Sequence, residues 1–303
     1  MKLYTTLLPL LFSVALQAQT ARMVDPSEIQ PTQTNYVMNR APLVNTPFVK
    51  LPLTSITPRG WVAEMLRRQG EGLAGKLGEI SAWLDKKENA WLEKGGKHGW
   101  EEVPYWLRGY SNMAYLSGDK AMLEETKFWV EAILKSARED GYFGPVNEHE
   151  GHYEVWANML ALQILQDWYD YSGDERVLKP MADYFRWQQN YPEEKFLHRY
   201  WENSRGGDNL LSILWLYNRT GEEWLLDVAR KVHRCTANWM QESTLPNWHN
   251  VNVAECFREP AEYYMLSGDK KALKATYDDF HLIRRIFGQV PGGMFGSDEN
   301  CRN

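Results

Sequence analysis

Apolar residues recur at helical spacing along most of the chain from Trp100 onward. Leu123, Phe128, Val130, Ile133 and Leu134 form one stripe, and Leu225, Val228, Ala229, Val232 and His233 form another. Between the stripes lies a recurring break: Ser117-Gly118-Asp119, Ser172-Gly173-Asp174, Thr220-Gly221-Glu222 and Ser267-Gly268-Asp269. Glycine after a helix supplies a left-handed cap, and an acid just beyond it suits the positive end of the next helix. The glycines stand 55, 48 and 47 residues apart, which predicts a repeat of helical hairpins. That period is too long for tetratricopeptide repeats of about 34 residues. No stretch alternates as a strand would, so the expected class is all-α.

Ahead of the repeat the pattern changes. Residues 1–18 have the build of a signal peptide, with Lys2, an apolar run from Leu7 to Leu16, and Ala18 at the expected cut. The run is too short to span a membrane, and no later segment qualifies. An exported protein with no membrane insertion after cleavage is the expectation, periplasmic or extracellular. Residues 19–55 read as an extended segment punctuated by Pro26, Pro31, Pro42, Pro47 and Pro52. Thr57-Pro58 is a helix-start signal, with Thr57 as cap and a helix expected to about Ala74. Residues 56–303 then form the helical domain. Six hairpins would close an (α/α)6 barrel, as in many carbohydrate-active enzymes. Four glycine turns and an early helix fall short of closure, and the chain stops at Asn303 as a loop begins. The reading is therefore of a truncated barrel.

In an antiparallel hairpin the long loops leave from the end opposite the tight turn. One rim should be structural and the other chemical. Four loops fall on the chemical rim. One runs from Asp140 to His152 and leads to Tyr153, Glu154 and Trp156. The second runs from Phe196 to Asp208. The third holds Trp248 and His249, and the fourth holds Asp298 and Glu299. All four mix rings, carboxylates, imidazoles and glycines. Rings cover the C–H faces of a sugar and polar groups bond its hydroxyls.

Composition adds little more. The chain carries 14 Trp and 16 Tyr, which core or ligand stacking could use equally. Its formal charge of −6 lacks the basic footprint of a nucleic-acid binder. The cysteines are Cys235, Cys256 and Cys301, an odd set that gives no disulfide framework.

Each candidate has a plain structural alternative. Glu299 can be a general acid or metal ligand, or a solvated loop acid. His249 can contact ligand or hold structure at a helix start. His149 and His152 flank Glu150, a weak metal pattern on a loop. Asp208 can touch ligand or cap a helix, and Trp201 and Trp248 can stack on a sugar or fill the core. Cys301 can bind metal or attack a sugar, though a lone cysteine is usually inert.

The loop Gly292–Glu299 resembles glycoside hydrolase family 127, the β-L-arabinofuranosidases. So do the opening Val49–Trp61, Trp106-Leu107, Glu154 and the Trp248-His249 loop. The likeness covers most of residues 49–303. It implies an (α/α)6 barrel followed by β-domains, and cleavage of L-arabinofuranose linkages with retention. It also implies a zinc ion held by one glutamate and several cysteines, a thiolate nucleophile, and the glutamate as acid/base. That glutamate falls on Glu299, and a substrate-contacting histidine falls on His249. The family's cysteines would lie beyond Asn303. Other pocket histidines of the family fall on non-histidines here, near Tyr153 or Leu160 and near Gly206.

The leading expectation is an exported glycosidase acting on oligosaccharides from plant or host polysaccharides. Trp248, Trp201, Glu154, His152, Asp208 and Asp298 are its further substrate contacts. A second expectation keeps the barrel but uses two carboxylates among Glu154, Asp208 and Asp298, as in unsaturated-uronide hydrolases. A carboxyl separation of roughly 5 to 9.5 Å would mark it. A third is a non-catalytic glycan-binding protein of stacked helices.

Overall fold

The computed structural model describes residues 37–149, 151–241 and 243–288. The all-α expectation holds. Four helical hairpins form the body: α3 (Glu102–Ser117) with α4 (Lys120–Lys135), α5 (Trp156–Ser172) with α6 (Leu178–Asn190), α8 (Gly206–Thr220) with α9 (Trp224–Cys235), and α11 (Glu259–Ser267) with α12 (Lys270–Phe287). Gly118, Gly173, Gly221 and Gly268 each end the first helix of a pair in the left-handed region, with φ of 69°, 70°, 73° and 66°. The repeated tripeptide makes a repeated bond. Ser117, Ser172 and Ser267 each accept the backbone N–H two residues on at 3.2 Å, and Thr220 does so at 3.4 Å. Asp119, Asp174 and Asp269 then cap the next helical turn by accepting the backbone N–H groups of Met122, Arg176 and Lys271.

The first helices of the pairs pack side by side, α3 on α5, α5 on α8, and α8 on α11, and the second helices lie outside them. This explains two sequence textures. The outer helices keep one polar face, whereas α5 is buried at every position from Trp156 to Gln166. Polar side chains trapped in the inner layer satisfy one another. Gln163 donates to Asp208 at 2.9 Å, Gln166 to Ser212 at 2.8 Å, and Gln188 and Asn209 exchange bonds at 3.1 and 2.8 Å.

The glycine-turn side is structural, as the hairpin geometry requires. Residues 39–44 cross it as a strap. Arg40 N–H donates to Asn218 at 2.8 Å, Val44 N–H donates to the Met265 carbonyl at 2.7 Å, and the Tyr217 hydroxyl donates to the Ala41 carbonyl. The long loops leave from the other side.

Four local expectations are corrected. The single helix from Thr57 to about Ala74 is two, α1 (Gly60–Glu71) and α2 (Leu73–Ile80). Gly72 between them is extended, and a Cβ there would lie 2.7 Å from the Arg68 carbonyl oxygen. Arg59 occupies the cap position, so Thr57 and Pro58 precede the helix without capping it. Phe128 points away from the core, 43 % exposed, beneath the Lys86 ammonium at 4.2 Å. Finally, a two-residue ribbon pairs β1 (Glu148–His149) with β2 (His152–Tyr153), too short for alternation to announce it.

Candidate active site

Short helices complete the rim opposite the glycine turns: α7 (Tyr200–Ser204) before α8, and α10 (Asn250–Cys256) before α11. The loops therefore deliver side chains onto the N-terminal ends of the inner helices. What they meet is Arg205, a guanidinium only 3 % exposed between α7 and α8. It lies over the rings of Trp156 at 4.2 Å and Trp201 at 4.8 Å. Its Nε donates to Asn252 Oδ1 at 2.7 Å and stands 3.5 Å from Glu255 Oε2. Its Nη1 donates to the Tyr105 hydroxyl at 3.3 Å, and that hydroxyl donates to Glu255 Oε1 at 3.5 Å. Trp156 Nε1 donates to Glu101 Oε2 at 3.0 Å. Trp201 in turn lies edge-on to His249, ring centres 5.1 Å apart. Four segments of the chain thus meet in one cluster.

Exposure divides this cluster into floor and mouth. Arg205, Asn252 and His249 are buried, whereas Tyr105 is 38 % exposed and the Glu255 side chain 18 %. Burial first, and the nearby Asp208 carboxylate second, push the Glu255 carboxyl up to about 7, despite Arg205 beside it. Near neutrality this group can carry a proton that an ordinary glutamate has lost. The indole of Trp201 and the phenol of Tyr105 offer flat surfaces for a sugar face, and Arg205 and Asn252 offer donors for hydroxyls.

The other candidates divide. Trp201 and His249 come together, as the loop argument requires. Glu154 and Glu202 sit beside the cluster but serve the backbone. Glu154 accepts the Trp156 N–H at 3.0 Å, and Glu202 accepts the N–H groups of Val155, His198 and Arg199 at 2.9, 2.8 and 3.1 Å. Burial raises both carboxyls well above the usual range, and the neighbouring Glu202 raises Glu154 further. His152 stacks on His198, centres 4.5 Å apart, at the edge of the same rim. Asp208 does not cap α8 with its side chain. It lies in the first turn of α8, 1 % exposed, and accepts from Gln163 and Arg258, so it ties α5 and α8 to the start of α11. Trp248 packs beside a second apolar cluster of Trp239, Leu245, Val253, Cys256 and Ile283, edge-on to Phe287 at 5.9 Å. Asp298, Glu299 and Cys301 lie outside the described residues, as does Glu150.

Glu299, on which the implied zinc ligand falls, lies outside the described residues. Among the described residues no three of His, Cys, Asp and Glu are grouped to hold a metal. Cys256 is wholly buried in the second cluster, where burial pushes its thiol well above the usual value, and burial likewise raises half-buried Cys235. No step is derived through zinc.

The missing histidine near Gly206 has a steric reason. A Cβ on Gly206 would lie 2.5 Å from Thr236 Oγ1 and 2.6 Å from its Cβ, and Thr236 is itself bonded to the Asn203 carbonyl at 2.7 Å. Thr236 fills the space that a side chain at 206 would need. Gly206→Ala should therefore cost about 1–3 kcal/mol by overpacking. Urea unfolding at unchanged m would show it, and a neutral substitution would remove this explanation.

Tilted and edge-on rings surround a buried guanidinium and a carboxyl on a layer of helical hairpins, a polar, ring-lined rim of the kind that suits a sugar. Residues 26–303 match the family described as "Beta-L-arabinofuranosidase, GH127 catalytic domain", and the chain belongs to that family of glycoside hydrolases. No curated protein and no solved structure matches the chain. Among the described residues no helix is long and apolar enough to cross a membrane.

Arg205, Glu255 and Asn252 were not singled out by sequence pattern. A signal existed for Arg205, which follows Trp201 by one helical turn and stands directly before a Gly-Gly pair. Glu255 sits inside a helix, where an acid reads as solvated face.

Proposed function

We propose that the Arg205 cluster seats the terminal sugar of an oligosaccharide, an L-arabinofuranoside, and that the linkage is cleaved with retention. The observation carrying this reading is the junction of Arg205 with Trp156, Trp201, Tyr105, Asn252 and Glu255, beside His249. Trp201 and Tyr105 take the apolar faces of the sugar. Arg205 and His249 hold its hydroxyls, in a place where burial strengthens each bond. Glu255, protonated up to about pH 7, is the proton donor this cluster offers to a departing oxygen. The choice of L-arabinofuranose follows the family description, and export follows the Lys2, Leu7–Leu16 and Ala18 pattern.

A panel of aryl glycosides tests it on the full-length protein. Release of aglycone is expected from an aryl L-arabinofuranoside, and His249→Ala should lower kcat/KM roughly 10- to 100-fold through loss of a buried hydrogen bond. Turnover confined to other glycosides would overturn the sugar assignment. An unchanged rate in His249→Ala would overturn the placement of the sugar.

A further inference from the structure

A second concave surface lies on the outside of the hairpin layer. It is a cleft of about 1360 Å³ between the Ala90–Trp100 loop, the outward face of α4, and residues 144–147. Gly144 shapes its floor: φ is +80°, and a Cβ there would press within 2.8 Å of the Trp91 ring. None of the Arg205 cluster lines it. Its walls nonetheless run straight into that cluster, since Trp100 precedes Glu101, and the Asn147 carbonyl accepts the Glu154 N–H at 2.8 Å.

The lining is unusual for a protein of net charge −6, because five Lys or Arg face three Glu. Several of these charges are already paired. Lys97 is paired with Glu88, Arg138 with Asp140, and Glu131 with Arg176. Glu131 is one helical turn from both Lys127 and Lys135, but its carboxylate is turned to Arg176 at 2.6 Å. Among the described residues Lys94, Lys127 and Lys135 form no direct ion pair, although Lys135 helps hold Glu131 ionised from a distance. Phe128 lies beside Lys127 on the same helix, 43 % exposed, with the Lys86 ammonium 4.2 Å over one face of its ring.

We propose that this cleft binds an acidic oligosaccharide, a chain of uronic acid residues, with carboxylates on Lys94, Lys127 and Lys135 and a sugar face on Phe128. The spacing favours a glycan over a nucleic acid. Lys127 and Lys135 are eight residues apart on α4, about 12 Å along its axis. A duplex carries a charge about every 1.7 Å, and the glutamates in the cleft would repel so dense a row. Sparse carboxylates separated by hydroxyls suit both the lysines and the glutamates. The site does not depend on which sugar the Arg205 cluster cleaves.

Affinity electrophoresis of the full-length protein in gels containing polygalacturonate, neutral galactan or DNA tests it. Retardation is expected in polygalacturonate alone. The double substitution Lys127→Glu with Lys135→Glu should weaken it at least tenfold, and Phe128→Ala severalfold. All three residues are exposed, so the melting temperature should fall by no more than a few degrees, from the new like-charge pairs with Glu131, and the rate on a small aryl glycoside should stay unchanged. The assignment fails if polygalacturonate does not retard the protein, or if the double variant is retarded as strongly as the parent. Equal retardation in DNA or in galactan, lost in the same variants, would overturn it in favour of another ligand.

Discussion

Replacing Arg205 by alanine is expected to lower kcat/KM on a cleaved aryl glycoside by roughly 10²- to 10³-fold and to destabilise the fold by about 3–5 kcal/mol. Both effects come from one fact, that this guanidinium is 3 % exposed and serves five neighbours. Alanine leaves the Asn252 amide oxygen without its donor and opens the space between two indoles. It also removes the cation that holds Glu255 down, so the Glu255 carboxyl should titrate higher still. Arg205→Lys separates charge from shape. Lysine keeps the charge but cannot lie flat between Trp156 and Trp201 while serving two acceptors in a fork. Less than a tenth of the lost rate should return. Steady-state kinetics and thermal melts on both variants check this. Full activity in Arg205→Ala would mean that the substrate site lies elsewhere on the rim.

The scaffold was more legible in the sequence than the chemistry, and for a physical reason. The Ser-Gly-Asp corners could be read because a left-handed cap requires glycine and a helix start rewards an acid. Both are local demands, met within four residues. The division into a structural and a chemical rim came from those corners, and the Ala41–Tyr217 strap contact and the Arg205 cluster fall on the sides it assigned. Trp201 and His249 could be placed on one rim for the same reason. Arg205 could not be singled out, because its meaning lies in partners 100 residues upstream and 47 downstream, Tyr105 and Asn252. Asp208 shows the same dependence on distant partners: beside Gly-Gly it reads as a ligand contact or a helix cap, and it is Gln163 and Arg258, supplied by other segments, that bond its Oδ1. Gly206 shows the same limit, since the crowding of a side chain there comes from Thr236 and Leu197 in other segments.

Glu255→Gln should make the protein more stable above pH 7 and far less active. The carboxyl titrates at about 7 in the folded state, against about 4.3 for a glutamate in an unfolded chain. Between those values the folded protein holds a proton that the unfolded chain has released. Stability contributed by this group is therefore full below about pH 4.3, declines as pH rises to about 7, and is flat beyond. The buried position makes the decline about 4 kcal/mol, at roughly 1.4 kcal/mol per pH unit. Glu154 and Glu202 lean the same way, so the parent protein should lose melting temperature steadily from pH 5 to pH 8. Glutamine keeps the shape without the charge, so the variant should recover about 2–3 kcal/mol at pH 8 and nothing at pH 4. The rate should move oppositely, falling about 100-fold for loss of a positioned proton donor, with the alkaline fall near pH 7 absent from what remains. A glutamate that only held the rim together would lower stability and rate in parallel. Melting curves for parent and variant that run parallel from pH 5 to pH 8 would remove Glu255 from the role of buried proton carrier.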